Sequence, residues 1–197
     1  MRRAFPFVVL LVFILIVTGC GGPATTTTTT QAPQVDKAKF SEAWQALVKI
    51  ESATWEGVEL SDLWALQFNL RNAVDRLPQD LNSAERMCAA ALGEVGEAYL
   101  DSFLLRMRKI DQRFNEGIDC DGITVRREGE SWPLVEGADE MVDTYGLTVT
   151  KETISAMPPS WESYSEFTFW VVPESSISAI WAWASVRVDR LRPLLAP

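Results

Sequence analysis

Residues 83–114 read SAERMCAAALGEVGEAYLDSFLLRMRKIDQRF. Leu92, Val95, Tyr99, Phe103, Ile110 and Phe114 recur at steps of three, four and seven, which predicts one long helix with these residues along its core side. Asn82 or Ser83 is suited to cap its start. Arg106, Arg108 and Lys109 lie towards its C-terminal end, where positive charge complements the helix dipole. Gly93 and Gly96 sit inside it, each costing about 1 kcal/mol relative to alanine. They either permit close helix approach or are merely tolerated.

Working back from this stretch, Leu63, Leu66, Leu70, Ala73 and Leu77 alternate at three- and four-residue steps, and Pro78 follows. This is a helix from about Ser61 whose seam suits another helix. Phe40, Trp44, Leu47 and Ile50 define an earlier helical face, with a turn at Gly57 between the two. Trp44 and Trp64 read as core knobs. Forward of Gly117 the pattern weakens. Residues 123–127 and 147–151 read as short strands, and residues 137–145 as a short helix ended by Gly146. Phe167, Phe169 and Val171 alternate as in a strand. Ile177, Ile180, Ala184, Val188 and Leu191 return to helical spacing, and Pro193 is expected to end that helix. The expected fold is mainly α, an antiparallel helical bundle with a minor β or irregular segment, with α+β as the alternative. Residues 36–197 are expected to form a single domain.

The first 35 residues differ in texture. Arg2 and Arg3 precede an apolar run over residues 4–17 that is shorter than the roughly 20 residues a spanning helix needs. This is the layout of a secretory signal. The junction Val17-Thr18-Gly19-Cys20 resembles the lipobox of bacterial lipoproteins: aliphatic, small, small, cysteine. The resemblance covers residues 1–20 only. It implies removal of residues 1–19, a diacylglycerol thioether on Cys20 and acylation of the new amine. Several acyl chains hold a protein to a membrane where one is marginal. Gly21, in place of aspartate, resembles the pattern sent on to the outer membrane in hosts with two membranes. The implied location is the outer face of the cell membrane, or the outer membrane where there is one. Residues 20–35 include an unbroken threonine run at 25–30 between Pro23 and Pro33, with nothing to bury. They read as a tether, reaching roughly 50 Å if extended.

Charge narrows the partners. The chain carries −9, and removing the two N-terminal arginines takes this to −11. With no basic stripe, nucleic acid is disfavoured. The absence of histidine removes histidine triads and histidine metal sites. Once Cys20 is lipidated, Cys88 and Cys120 remain as an even pair. They would bridge only if the long helix ended or kinked early, and otherwise are two separate thiols.

Residues 117–128 read GIDCDGITVRRE. Laid on a calcium-binding EF-hand loop, Asp119, Asp121 and Glu128 take the third, fifth and twelfth places. Gly117 stands where the first ligand belongs, however, and Asp-Gly is also an ordinary turn. Asp139, Glu140 and Asp143 are acids without a second constraint. Trp181 and Trp183, two apart on a helix, do not share one narrow face, so at least one is expected to be partly exposed and open to a ligand. No nucleophile motif or phosphate loop is present, and no cofactor is implied. The leading expectation is a membrane-held binding or interaction module of the envelope, with a protein or cell-wall partner. The alternatives are a carboxylate enzyme acting on glycan and a structural accessory subunit of a membrane complex, the last favoured by an exposed apolar stripe around Trp181 or Trp183.

Overall fold

A computed structural model of the chain describes residues 34–57, 59–156 and 165–197. The signal segment, Cys20, most of the tether and Trp161 lie outside the described residues. A 3-10 turn over Lys37–Phe40 leads into α1 (Ser41–Glu56), α2 (Leu60–Asp75) and α3 (Ser83–Phe114). There follow β1 (Gly122–Arg127), α4 (Ala138–Tyr145), β2 (Thr150–Ala156), β3 (Ser165–Pro173) and α5 (Ser176–Leu195). The fold is thus mainly helical with a small antiparallel sheet, in which β3 lies between β1 and β2. Residues Pro33–Pro197 form one compact unit. No helix among the described residues is long and apolar enough to cross a membrane.

The helices form where spacing and caps direct them. α1 buries Trp44, Leu47 and Ile50 and closes on Gly57 in the left-handed region at φ 83°. α4 closes on Gly146 in the same way, at φ 64°. α3 starts on a capping box: the Asn82 side chain accepts from the Glu85 amide, and Glu85 accepts from the Asn82 amide. Its 32 residues span about 48 Å, twice the length of the 16-residue α2. Leu92, Val95 and Tyr99 are fully enclosed at its centre.

Glycines inside α3 behave differently from each other. At Gly96 a methyl group would meet Leu70 Cδ2 at 3.6 Å, an ordinary contact, while the carbonyl accepts from the Gln67 side chain at 2.9 Å. At Gly93 a methyl group would meet nothing within 4 Å. Gly93 is therefore tolerated rather than needed. Gly93→Ala is expected to stabilise the protein by about 1 kcal/mol, through helix propensity alone. A lowered or unchanged urea midpoint would refute this.

Glu85 also fastens the incoming chain. Its carboxylate, almost wholly buried, accepts from the Asp36 amide at 3.1 Å and from Lys39 Nζ at 3.0 Å. Asn82 donates to the Gln34 carbonyl. The bond from the Asn82 amide, followed by Lys39 and Asp36, outweighs burial and holds the Glu85 carboxyl below its ordinary value of 4.5. A lowered folded-state value means that this stabilisation is present above 4.5 and is lost as pH falls through the folded-state value. Glu85→Gln is therefore expected to flatten the acid limb of the stability–pH curve, which acid titration of both proteins checks.

The sheet separates two apolar clusters. The larger joins all five helices to Ile123, Val125 and Val172. The smaller holds Ile118, Ile154, Ala156, Phe169 and Val171. Val125 is the extra residue of a bulge between Thr124 and Arg126, and its carbonyl accepts from the amides of Leu134 and Val135. At Gly122 β1 runs so close to β3 that an added methyl group would overlap Val171 Cγ1 and lie 2.9 Å from the Val172 carbonyl oxygen.

A buried polar network joins the end of α3 to β1. Arg108 makes a paired contact with both Glu116 oxygens and donates to the Thr124 carbonyl and hydroxyl. Gln112 accepts from the Thr124 amide and donates to the Gly122 carbonyl, each at 2.8 Å.

Some expectations are corrected. The second strand is Thr150–Ala156 rather than 147–151: Leu147 and Val149 pack into the main cluster, and pairing with β3 begins at Thr150. Pro193 does not end α5, which continues to the buried Leu195. The carbonyl that loses its partner to Pro193 belongs to Asp189, an exposed residue that water can serve. Cys88 and Cys120 are both free. Helix runs unbroken from Cys88 to Phe114, about 39 Å, whereas the six residues onward to Cys120 can return only about 20 Å.

Candidate functional site

The reading of α3 as core-facing throughout fails at its C-terminal half. Phe103 is buried, but Met107, Ile110 and Phe114, next along the same face, are 43%, 45% and 69% exposed. The cause is length. α2 reaches along α3 only as far as its own first turn, where Leu60, Ser61 and Trp64 line an open apolar groove of about 390 Å3 with Phe103 and Met107. Past that point no helix among the described residues covers the stripe. Trp64 is half exposed and tilted over Phe103 with ring centres 5.1 Å apart. It is thus a wall of the groove rather than a core knob, because the buried positions of α2 are Leu63, Gln67, Leu70 and Ala73. Phe68, one turn beyond Trp64, is also exposed.

This surface was not assembled from the sequence. The 103, 107, 110, 114 spacing was visible, but periodicity reports which residues share a face, not whether another element covers it. The disparity between a 32-residue helix and a 16-residue neighbour was the available signal.

The residues singled out from the sequence lie elsewhere. Trp181 and Trp183 are each half-buried on α5 and already engaged. Trp181 Nε1 donates to Ser102 Oγ at 2.8 Å, and Arg106 lies over its ring. Trp183 meets Tyr145 edge-on at 5.1 Å, and Arg187 stacks on its face. Trp44 is the core knob it was expected to be. Asp119, Asp121 and Glu128 do not converge, which corrects the calcium reading. Residues 122–127 are extended strand rather than a wrapping loop, so Glu128 is carried away from the two aspartates and pairs with Lys151. No group of three candidate ligands is present among the described residues.

Asp139, Glu140 and Asp143 are exposed, and Asp139 pairs with Arg126 at 3.2 Å. A further acid, Asp101, carries no spacing signal of its own. Asp101 accepts from the Tyr145 hydroxyl at 2.6 Å, pinning α4 to α3. Burial raises its carboxyl above the ordinary range; the tyrosine bond lowers it, and Glu97 and Glu140 raise it further. Burial also raises both thiols, Cys88 and Cys120, which makes them poor nucleophiles.

No protein-family model, curated protein or solved structure matches the chain.

Proposed function

We propose that this protein is a lipid-anchored module of the bacterial envelope that binds a protein partner rather than catalysing a reaction. Its binding face is the groove of Leu60, Trp64, Phe103 and Met107 together with the stripe that continues to Phe114. The observation that carries the reading is this uncovered stripe of large apolar side chains, rimmed by polar residues, on an acidic chain. Contiguous exposed apolar surface of this kind marks interaction sites. Each such side chain, once fully covered, contributes about 1.5–3 kcal/mol. The 103, 107, 110, 114 ridge beside the Trp64 wall suits an amphipathic helix laid alongside α3. The accessory-subunit reading asked for an exposed apolar stripe on α5; the stripe is on α3, and the role fits it equally.

Residues 1–20 supply the proposed address: cleavage before Cys20, lipidation there and display on the outer face of a membrane through a threonine-rich tether. α1, α2, α3 and α5 are read as an antiparallel bundle. Two observations support this: Leu70 meets Gly96 while Trp64 meets Phe103, and Trp181 meets Ser102 while Arg187 meets Glu94.

The test places a photo-crosslinking residue at Phe114 of the tethered full-length protein in cells, with a control probe at Trp132, which is more exposed still. A discrete adduct at Phe114, absent at Trp132 and lost on Met107→Asp, supports the proposal. No adduct, or one that survives Met107→Asp, refutes the face. The anchor is tested separately: Cys20→Ala is expected to abolish lipid labelling and leave the precursor uncut, and continued labelling would exclude it.

A further inference from the structure

A second apolar cavity, of about 500 Å3, lies where α1 meets the end of α5. Its walls are Trp44, Val48, Leu195 and Pro197, with Lys37 and Lys49 among the residues around them. The size falls within the ~300–1,000 Å3 of small-molecule sites. Its charge sets it apart from the rest of the surface. The chain has 27 acidic and 18 basic residues, yet the described side chains that line the cavity include two lysines and no aspartate or glutamate. Two glutamates on α1 near Lys49 in sequence are paired with arginines, Glu51 with Arg192 and Glu42 with Arg76. Lys37 donates to the Ala196 carbonyl, and neither lysine has an ion-pair partner among the described residues.

We propose that this cavity binds a long-chain fatty acid, its alkyl chain against Trp44, Val48 and Leu195 and its carboxylate held by Lys49 and Lys37. Apolar walls with a few placed cations are what one alkyl chain and one anionic head require. The carboxylate replaces water around the lysines, and no bond forms or breaks. The site is distinct from the α2–α3 groove, and the proposal does not depend on the function assigned to that groove.

The experiment uses residues 33–197, the compact unit that contains both apolar clusters. Carboxyl-labelled palmitate is titrated below its micellar concentration and followed by carbon NMR and calorimetry. Saturable one-to-one binding is expected, about tenfold weaker in Lys49→Gln and weaker again when Lys37→Gln is added. The methyl ester should bind at least tenfold more weakly than the acid. Val48→Trp, which fills the cavity, should abolish binding without lowering the unfolding midpoint, and Trp64→Ala should leave binding unchanged. Lys49 is exposed and makes no side-chain bond among the described residues, so its variant reports on the site and not on folding. Absence of saturable binding, equal binding of acid and ester, indifference to Lys49→Gln, or loss through Trp64→Ala instead of Val48→Trp would each overturn the proposal.

Discussion

Arg108→Ala is expected to destabilise the protein by about 3 kcal/mol, the scale of breaking a buried ion pair from one side. Its side chain is almost wholly buried, and among the described residues it alone satisfies both Glu116 oxygens, at 2.5 and 2.6 Å. It also caps the Thr124 carbonyl and hydroxyl on β1. Truncation leaves the Glu116 carboxylate without its cation and Thr124 with an unmet acceptor beside Gln112. Glu116 is about one-third exposed, so water recovers part of the loss, and the estimate sits at the low end of the range for buried pairs. Arg108→Lys should rescue little, because one ammonium cannot make the paired contact and reach Thr124 as well. Urea unfolding of the three proteins decides this. A loss below about 1 kcal/mol for alanine would mean that the network is dispensable.

Gly122→Ala is expected to cost about 3 kcal/mol or more, although it adds only a methyl group. The obstacle is partly backbone: the Val172 carbonyl oxygen at 2.9 Å cannot rotate away, and Val171 Cγ1 is closer still. Val171 and Val172 face opposite clusters, so relieving the overlap disturbs both. Overpacking of this kind costs typically 1–3 kcal/mol before any ladder bond is lost. Gly93→Ala is the internal control, since the same change in open space should stabilise. Equal effects from the two glycines would refute the close-approach argument.

The long helix, its cap and the buried faces of α1 and α5 were legible in the sequence because each is a local property: a cap within three residues, a period of 3.6. The α4 stop at Gly146 was legible for the same reason. Strand limits were not, because β2 begins where β3 offers partners, and β3 lies at least nine residues further on. The exposure of Met107, Ile110 and Phe114 was hidden for a related reason: it depends on where α2 starts, a fact absent from α3's own pattern. Asp119, Asp121 and Glu128 had suitable spacing in number but not in space. A ligand loop and a strand use the same residue count and differ only in backbone course. The Arg108 side chain, read as a helix-end charge, turned out to bind the strand that follows it.

The clamp at the head of α3 and the open stripe at its foot are joined by a single unbroken element. A pull arriving through Gln34 is received by Asn82 and Glu85, and a partner gripping Phe114 would hold the opposite end about 48 Å away. Tension then runs along the hydrogen-bonded axis of one helix, and α2 and α5 are loaded in shear rather than peeled away. α3 would in this sense be a tie rod, and the rest of the fold the sleeve through which the load is shared.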